Sequence, residues 1–144
     1  MDAKLKELID GLNVDLANEY AATILYTNYA AVVSGLYRQV LKPFFEKEIP
    51  DEQGHALYLA EKIKTLGGEP TTTPAPVKQT DNVKEMLEEG RKAEADTIER
   101  YKKRKELAEE LGYTELVIKL DDMIADETHH LEEFDRMLMD PSFN

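Results

Sequence analysis

The feature of this sequence that most restricts its fold is an internal repeat at an offset of 75 residues, as from Glu19 to Glu94. Apolar, aromatic and ionisable residue types all recur at this offset: Leu12 and Leu87, Glu19 and Glu94, Tyr26 and Tyr101, Asp51 and Asp126, Glu52 and Glu127, and His55 and His130. The repeat predicts two helical hairpins related by a pseudo-two-fold axis, with equivalent residues at equivalent depth.

The first hairpin contains two helix-forming segments. Apolar residues at helical spacing predict a first helix over residues 3–34, which the following glycine ends. A second helical pattern covers residues 40–66. Pro50 falls inside it, where the missing backbone N–H predicts a kink near Glu46.

The second hairpin follows a segment of different composition. Residues 67–80 are rich in Gly, Thr and Pro, which predicts a loop. Asp81 is the predicted N-cap of a third helix that ends at Gly112. The fourth helix is predicted from near Thr114 to about Met139.

The length of the central loop indicates the topology. At about 3.3 Å per residue it can stretch about 46 Å, and helices of about 28 residues are about 42 Å long. The loop is long enough to travel the full length of a bundle, whereas the other two connections are short and make hairpins. We predict a single all-α domain over residues 1–144, a four-helix bundle with one long crossover between helices 2 and 3.

Composition narrows the function classes. The chain has no Cys, which excludes thiolate metal sites, thiol catalysis and disulfides. Its 30 acidic residues against 18 basic ones argue against nucleic acid and anionic membranes as partners and favour small cations. No apolar run reaches the roughly 18 residues of a membrane span, so a cytoplasmic protein is expected.

Two Glu-x-x-His motifs stand in the second and fourth helices, at Glu52 and His55 and at Glu127 and His130. This spacing places a carboxylate and an imidazole on one helical face. Both motifs interrupt apolar stripes at heptad spacing, since Phe45 lies seven residues before Glu52. They are therefore predicted to point into the core.

The first and third helices each add one carboxylate to the same core. Glu19 and Glu94 lie in heptad register with the apolar residues of their helices. Four unpaired carboxylates in an apolar core are costly, so cations or protons must neutralise them. Without cations, burial and mutual repulsion are expected to raise the pKa of all four glutamates.

Taken together, these residues resemble the di-iron carboxylate proteins of the ferritin superfamily, nearest to the bacterioferritins, over essentially the whole chain. The resemblance implies a ferritin-like bundle with two iron ions, for which Mn or Zn are possible substitutes. By resemblance, Glu19 and His55 hold one iron, Glu94 and His130 hold the other, and Glu52 and Glu127 bridge them. Four further residues are implied around these ligands, of which the tyrosines have core packing as an alternative role: Tyr26, Asp51, Tyr101 and Asp126.

Two positions depart from patterns of the superfamily. Gln53 stands where bacterioferritins carry the haem-ligating methionine, so haem is not expected. Thr97 stands where rubrerythrin-like relatives carry an additional glutamate, and their Cys-rich iron module is absent. The first difference weighs against haem, and the second weighs against a rubrerythrin-type peroxidase.

The resemblance implies a ferroxidase that oxidises Fe(II) with dioxygen or peroxide, in iron storage or detoxification. The alternative is a dimeric di-iron oxidoreductase or peroxide scavenger that stores nothing. A DNA-protecting mini-ferritin is a third possibility. A homo-oligomer of at least two chains is expected, with cage assembly left open.

Overall fold

The computed structural model describes residues 2–144, which form four long α-helices and a final 3₁₀ turn. Their bounds are α1, Ala3–Val32; α2, Arg38–Thr65; α3, Val83–Leu111; α4, Thr114–Met137; and the turn, Pro141–Phe143. The predicted all-α architecture with a long connection between the second and third helices is confirmed.

Local chemistry explains where the helices begin and end. The Asp2 carboxylate accepts a hydrogen bond from the Lys4 N–H at the start of α1. α3 is capped by Asn82, whose side-chain oxygen accepts from the Glu85 N–H at 2.9 Å. The prediction of Asp81 as this N-cap is wrong by one residue. Asp and Asn side chains can both cap a helix, and here Asn82 is the residue directly before the first helical residue, Val83.

Helix α2 is continuous through both of its prolines, Pro43 and Pro50. Proline has no backbone N–H, so Pro50 cannot donate the helical hydrogen bond that the Glu46 carbonyl would accept. The kink at this position stays a prediction.

The four helices pair in an antiparallel manner. α1 packs against α2 and α3, and α3 packs against α4. Lys4 near the start of α1 contacts Glu110 near the end of α3, with the Lys4 Nζ 2.8 Å from the Glu110 carboxylate. Further along the two helices, the Tyr26 hydroxyl donates to the Glu94 carboxylate. Residue numbers therefore rise along one helix as they fall along the other.

The crossover runs along α1. The Asn13 side chain donates to the Glu69 carbonyl at 3.1 Å, and the Ala75 N–H donates to the Ala17 carbonyl at 2.9 Å. Further along, the Tyr29 hydroxyl donates to the Lys78 carbonyl at 3.2 Å. From Asn13 to Tyr29 is about 24 Å of helix at about 1.5 Å per residue, so the loop travels along the bundle as its length predicts.

The core consists of two apolar clusters with a polar layer between them. One cluster lies at the end where α1 begins and includes Leu12, Leu59 and Met123. The other lies at the opposite end and includes Tyr29, Phe45 and Phe134. On every helix the buried glutamates and histidines lie between these two clusters, so the fold places them at mid-length.

Across residues 2–144, no helix combines the length and apolar character that a bilayer crossing requires.

Candidate metal centre

The structure brings all six predicted ligand residues together at the middle of the bundle. α1 and α3 each contribute one carboxylate, while α2 and α4 each contribute a Glu-x-x-His pair. None of the six is more than 8 % exposed: Glu19, Glu52, His55, Glu94, Glu127 and His130.

One group of ligand atoms surrounds His55. Glu19, Glu52, His55 and Glu127 each offer an atom, and these atoms lie within 4.8 Å of one another. The His55 Nδ1 is 3.1 Å from the Glu127 carboxylate and 3.8 Å from that of Glu19. These spacings fit a single cation held between the four side chains.

A second group surrounds His130. It consists of Glu48, Glu52, Glu94 and His130, again with one atom of each within 4.8 Å of the others. Glu52 belongs to both groups, which fits the bridging position that the resemblance implies. The Glu127 carboxylate approaches the His130 Nδ1 only to 4.0 Å, so bridging by Glu127 stays a prediction.

The orientation of both imidazole rings is set from the opposite helix. The His55 Nε2 lies 3.1 Å from the Asp126 carboxylate, and the His130 Nε2 lies 3.3 Å from that of Asp51. A carboxylate that accepts the Nε2–H of a neutral imidazole leaves a lone pair on Nδ1. In both rings the Nδ1 atom therefore faces the carboxylates of the cluster as a potential ligand.

Two buried tyrosines cross between α1 and α3. The Tyr26 hydroxyl donates to the Glu94 carboxylate, and the Tyr101 hydroxyl donates to that of Glu19. Burial raises the pKa of both hydroxyls well above the usual value, and the neighbouring carboxylates add to this effect. Both tyrosines are therefore neutral donors that orient the glutamates they contact.

Proton affinities in the cluster are unequal. Burial, together with the neighbouring Glu19 carboxylate, raises the pKa of Glu52 well above its usual value. Burial also raises the pKa of Glu94, although the His130 ring partly offsets it. For Glu19 burial acts in the same direction, but the neighbouring Glu52 and His55 side chains outweigh it and lower the pKa. The expectation of raised pKa values for all four glutamates is therefore wrong for Glu19.

Both histidines bind protons strongly in the metal-free cluster. Burial lowers the pKa of His55, but the carboxylates of Glu19 and Asp126 outweigh it and raise the value to about 9. For His130, burial is likewise outweighed by Glu48 and Glu94, and the pKa rises to about 10. Cations that bind the cluster must therefore displace protons.

The buried ligand atoms without hydrogen-bond partners indicate whether this cluster can bind metal ions. Buried polar atoms without a partner cost about 1–3 kcal/mol each, and this cluster contains several side by side. Within residues 2–144, no hydrogen-bond partner reaches these atoms: Glu19 Oε2, Glu48 Oε2, Glu52 Oε1, His55 Nδ1, Glu94 Oε2, Glu127 Oε1 and His130 Nδ1. Carboxylate oxygens and imidazole nitrogens are donors that iron, manganese and zinc accept, so the cluster fits a pair of such ions.

Sequence reasoning missed Glu48. It is 5 % exposed on α2, one turn before Glu52, and its carboxylate lies 2.8 Å from the His130 Nδ1. A signal was present, because Glu48 lies seven residues before His55 in the same buried stripe. The residue 75 positions later is Met123, so comparison of the two halves concealed this glutamate.

Sequence reasoning also missed Asp15, a buried carboxylate outside the ligand groups. Its oxygens lie 3.0 Å from the Arg104 Nε and 3.6 Å from the Arg100 Nε. Arg100 also donates to the Thr97 hydroxyl at 2.8 Å. His129, in contrast, is exposed beside His130 and lies in neither ligand group.

A cavity of about 150 Å³ connects the cluster with the protein surface between α1 and α3. Glu52, Glu94 and Glu127 line its inner end. Its outer end includes the exposed Lys92 and Asp96 and part of the crossover. The cavity is therefore a candidate path from the surface to the buried carboxylates.

Comparison with known proteins agrees with this fold. The profile of the ferritin-like domain family matches residues 9–142. A bacterioferritin from Brucella melitensis biotype 1 is 31% identical over 134 residues, which cover 92% of this chain and 83% of the relative.

Two solved structures share the fold at full length. A ferritin-like, diiron-carboxylate protein from Bacillus anthracis strain Ames is 68% identical, with a TM-score of 0.95 over 96% of this chain and 99% of its own. The Desulfovibrio desulfuricans bacterioferritin, whose diiron site was determined in different catalytic states, is 28% identical. Its TM-score is 0.86, over 93% of this chain and 79% of its own.

Proposed function

Because this chain belongs to the family of ferritin-like proteins, we propose that it is a di-iron ferroxidase that oxidises Fe(II) with dioxygen or peroxide. The observation that carries the proposal is the set of buried, unpaired ligand atoms in two groups that share Glu52. We propose iron storage or detoxification in the cytoplasm as the purpose of this reaction.

The protein's own residues prepare the site for two cations. Asp51 and Asp126 hold the two imidazole rings with Nδ1 inward, while Tyr26 and Tyr101 hold the carboxylates of Glu94 and Glu19. Apolar clusters on both sides exclude water and strengthen the electrostatic attraction for cations. Bound iron supplies the one-electron steps that reduce the oxidant.

We propose that Fe(II) and the oxidant use the cavity between α1 and α3. Carboxylates at its inner end attract cations, and the protons that the two histidines release on metal binding can leave by the same path.

The outer face of α1 and α2 supports association of at least two copies. Ile24 and Leu57 are 46% and 62% exposed and lie in one apolar cavity with Gln53. Haem is not expected there, because an amide is a poor ligand for haem iron. Expression with excess haem should give no Soret absorption band.

Anaerobic titration with Fe(II), followed by addition of dioxygen or hydrogen peroxide, tests the proposal. We expect two Fe(II) ions per chain and a fast rise in near-ultraviolet absorbance on oxidation. Glu127→Ala should abolish paired binding and most of the oxidation, because a buried ligand and one negative charge are lost. Glu133→Ala, which changes an exposed glutamate of the same helix, is the matched control.

The proposal is wrong if Glu127→Ala binds two irons and oxidises them at the parent rate.

Anomalous scattering at the Fe and Mn edges identifies the native metal. A solution mass near twelve or twenty-four chains supports storage, whereas a dimer supports the non-storing oxidoreductase.

A further inference from the structure

The two ligand groups differ in one residue that has no equivalent in the other half of the chain. We infer that Glu48 is an additional metal ligand, which makes the position beside His130 the tighter of the two. The inference rests on the proposed di-iron function and assigns unequal roles to its two metal positions.

Geometry is the first support. The Glu48 Oε2 and the His130 Nδ1 lie 2.8 Å apart, yet in the described part of the chain neither atom has a partner with hydrogen-bond geometry. Glu48, Glu52, Glu94 and His130 all place an atom within 4.8 Å of one another. Once a cation displaces the proton of His130, the ligand atoms of these four side chains are close enough to one another to share that cation.

The position of Glu48 on its helix is the second support. Leu41, Phe45, Glu48, Glu52 and His55 are the successive buried residues along this part of α2. Since i and i+4 residues share a helical face, Glu48 and Glu52 present both carboxylates to the same site. A carboxylate this deep in the core is costly unless a cation accompanies it.

The other half of the molecule lacks this carboxylate. Met123 occupies the equivalent position on α4 and is 4 % exposed. A thioether is a soft, neutral ligand that suits iron, manganese and zinc much less well than a carboxylate. If Glu52 and Glu127 both bridge, as the resemblance implies, the His55 position has only the ligands of the six-residue set. The His130 position then has their counterparts and the Glu48 carboxylate as well.

Charge gives the direction of the effect. The six-residue set contains four carboxylates, which neutralise two divalent ions. Glu48 adds a fifth negative charge on the His130 side, so this position attracts a cation more strongly. A purely structural role, in which Glu48 only pairs with a protonated His130, predicts the opposite sign, because removal of Glu48 would then free the ring for metal.

Zn(II) is a suitable probe, because it accepts the same ligands and does not change oxidation state. Isothermal titration of the full chain gives the affinities of the two positions. Crystals with one Zn(II) per chain, measured at the Zn edge, show which position fills first. In the parent protein we expect the first ion beside His130 and affinities that differ by about tenfold or more.

Three variants and one control separate the contributions. Glu48→Gln keeps the shape and removes the charge, and Glu48→Met copies the other half of the molecule. Both should weaken the first Zn(II) by about tenfold or more, so that the two positions fill together. Met123→Glu should strengthen the His55 position. Glu46→Gln changes an exposed glutamate that pairs with Lys42 at 2.8 Å and should have no effect.

The inference is overturned if both positions of the parent fill equally, or if Glu48→Gln leaves the first affinity unchanged or increases it. Should the Glu48 variants fail to fold, Met123→Glu still tests whether an added carboxylate strengthens the metal position that it faces, because Glu48 is unchanged in that variant. Failure of the proposed function has a different signature, namely a parent protein that does not bind two metal ions or does not oxidise Fe(II).

Discussion

The hairpin of α1 and α2 and the hairpin of α3 and α4 agree at the metal centre and differ one turn away from it. Both place a glutamate, a Glu-x-x-His pair, a tyrosine and an aspartate around the site. One turn before the glutamate, however, α1 has the buried Asp15 and α3 has Gly90. Symmetry is therefore restricted to the six predicted ligands and to the tyrosines and aspartates that contact them.

The two ends of the core are filled by different chemistry. Asp15 lies against the side chains of Arg100 and Arg104 on α3. The positions equivalent to these arginines on α1 are Leu25 and Tyr29, which belong to the aromatic end of the core. One end therefore contains a buried aspartate with its arginines beside aliphatic side chains, while stacked aromatic rings pack the other end.

Gly90 is explained by this aromatic end. A Cβ at this position would lie 2.4 Å from the Phe134 ring, which is completely buried. Phe134 corresponds to Leu59 in the first half, so the larger ring requires the smaller residue opposite it. Each end of the bundle is thus packed to its own shape.

The largest effect that we predict is that of metal and pH on stability, and it tests the metal centre that the two hairpins share. Without metal, the free energy of unfolding should fall as the pH rises from about 6.5 through about 10. His55 and His130 have folded pKa values of about 9 and about 10, above the usual histidine pKa of 6.5. Their contribution to stability is therefore complete below 6.5 and is lost as pH rises through the folded values.

The buried carboxylates also contribute to the pH dependence of the free energy of unfolding, and they do so at lower pH. Glu52 and Glu94 have raised pKa values, so their contribution also declines as pH rises from 4.5. Glu19 has a lowered pKa, and its contribution is present above 4.5 and is lost as pH falls through the folded value. Asp15 behaves like Glu52, because burial raises its pKa to about 7 against the effect of Arg104 and Arg100.

Thermal melts with and without Zn(II) at pH 6 and pH 9 test this prediction. Metal replaces the protons, so it should raise the Tm most at the alkaline pH. A site that is loaded at a thousand times its Kd contributes about 4 kcal/mol. Identical melts with and without metal would show that the two halves do not form a common cation site.

A smaller effect is predicted at the aspartates that orient the histidines. Asp51→Asn and Asp126→Asn should each weaken Zn(II) binding by about 10- to 100-fold, because the amide holds the Nε2–H less strongly. Each change should act on the position of the histidine that it contacts, His130 for Asp51 and His55 for Asp126. Isothermal titration measures both affinities.

The exposed His129 gives the control for these variants, since His129→Ala removes an imidazole that lies in neither ligand group. If His129→Ala weakened binding as much as Asp126→Asn, the assignment of the orienting aspartates would be wrong.

The smallest effect concerns the positions where the halves differ in packing. Gly90→Ala should destabilise the protein by about 1–2 kcal/mol, because a clash with Phe134 exceeds the gain in helix propensity. Gly54→Ala is the matched control on α2, where a Cβ meets no atom of residues 2–144 within 4 Å. It should stabilise the protein by about 0.5–1 kcal/mol.

Urea unfolding of the two glycine variants at one pH provides the measurement. Equal stabilisation of both would show that the ring of Phe134 moves aside without cost, and that the two ends of the core are less different than their residues indicate.

The sequence alone determined the four helices and the crossover, and it predicted which six residues meet at mid-length. Helical periodicity and heptad register are local properties of the chain, so the bounds of α1 to α4 agree with the predicted ones to within two or three residues. The repeat at 75 residues predicted that these glutamates and histidines lie close together, because equivalent positions in two similar hairpins lie at equal depth, and the structure places them in two adjoining groups.

The tertiary structure alone decided what breaks this symmetry. Glu48 has a methionine as its equivalent and Asp15 has a glycine, so a comparison of the halves gave no sign of either carboxylate. Their surroundings come from other helices: His130 of α4 for Glu48, and two arginines of α3 for Asp15. Periodicity specifies which face of a helix is buried, but the chemistry that a buried group meets is set by residues brought close only when the helices pack.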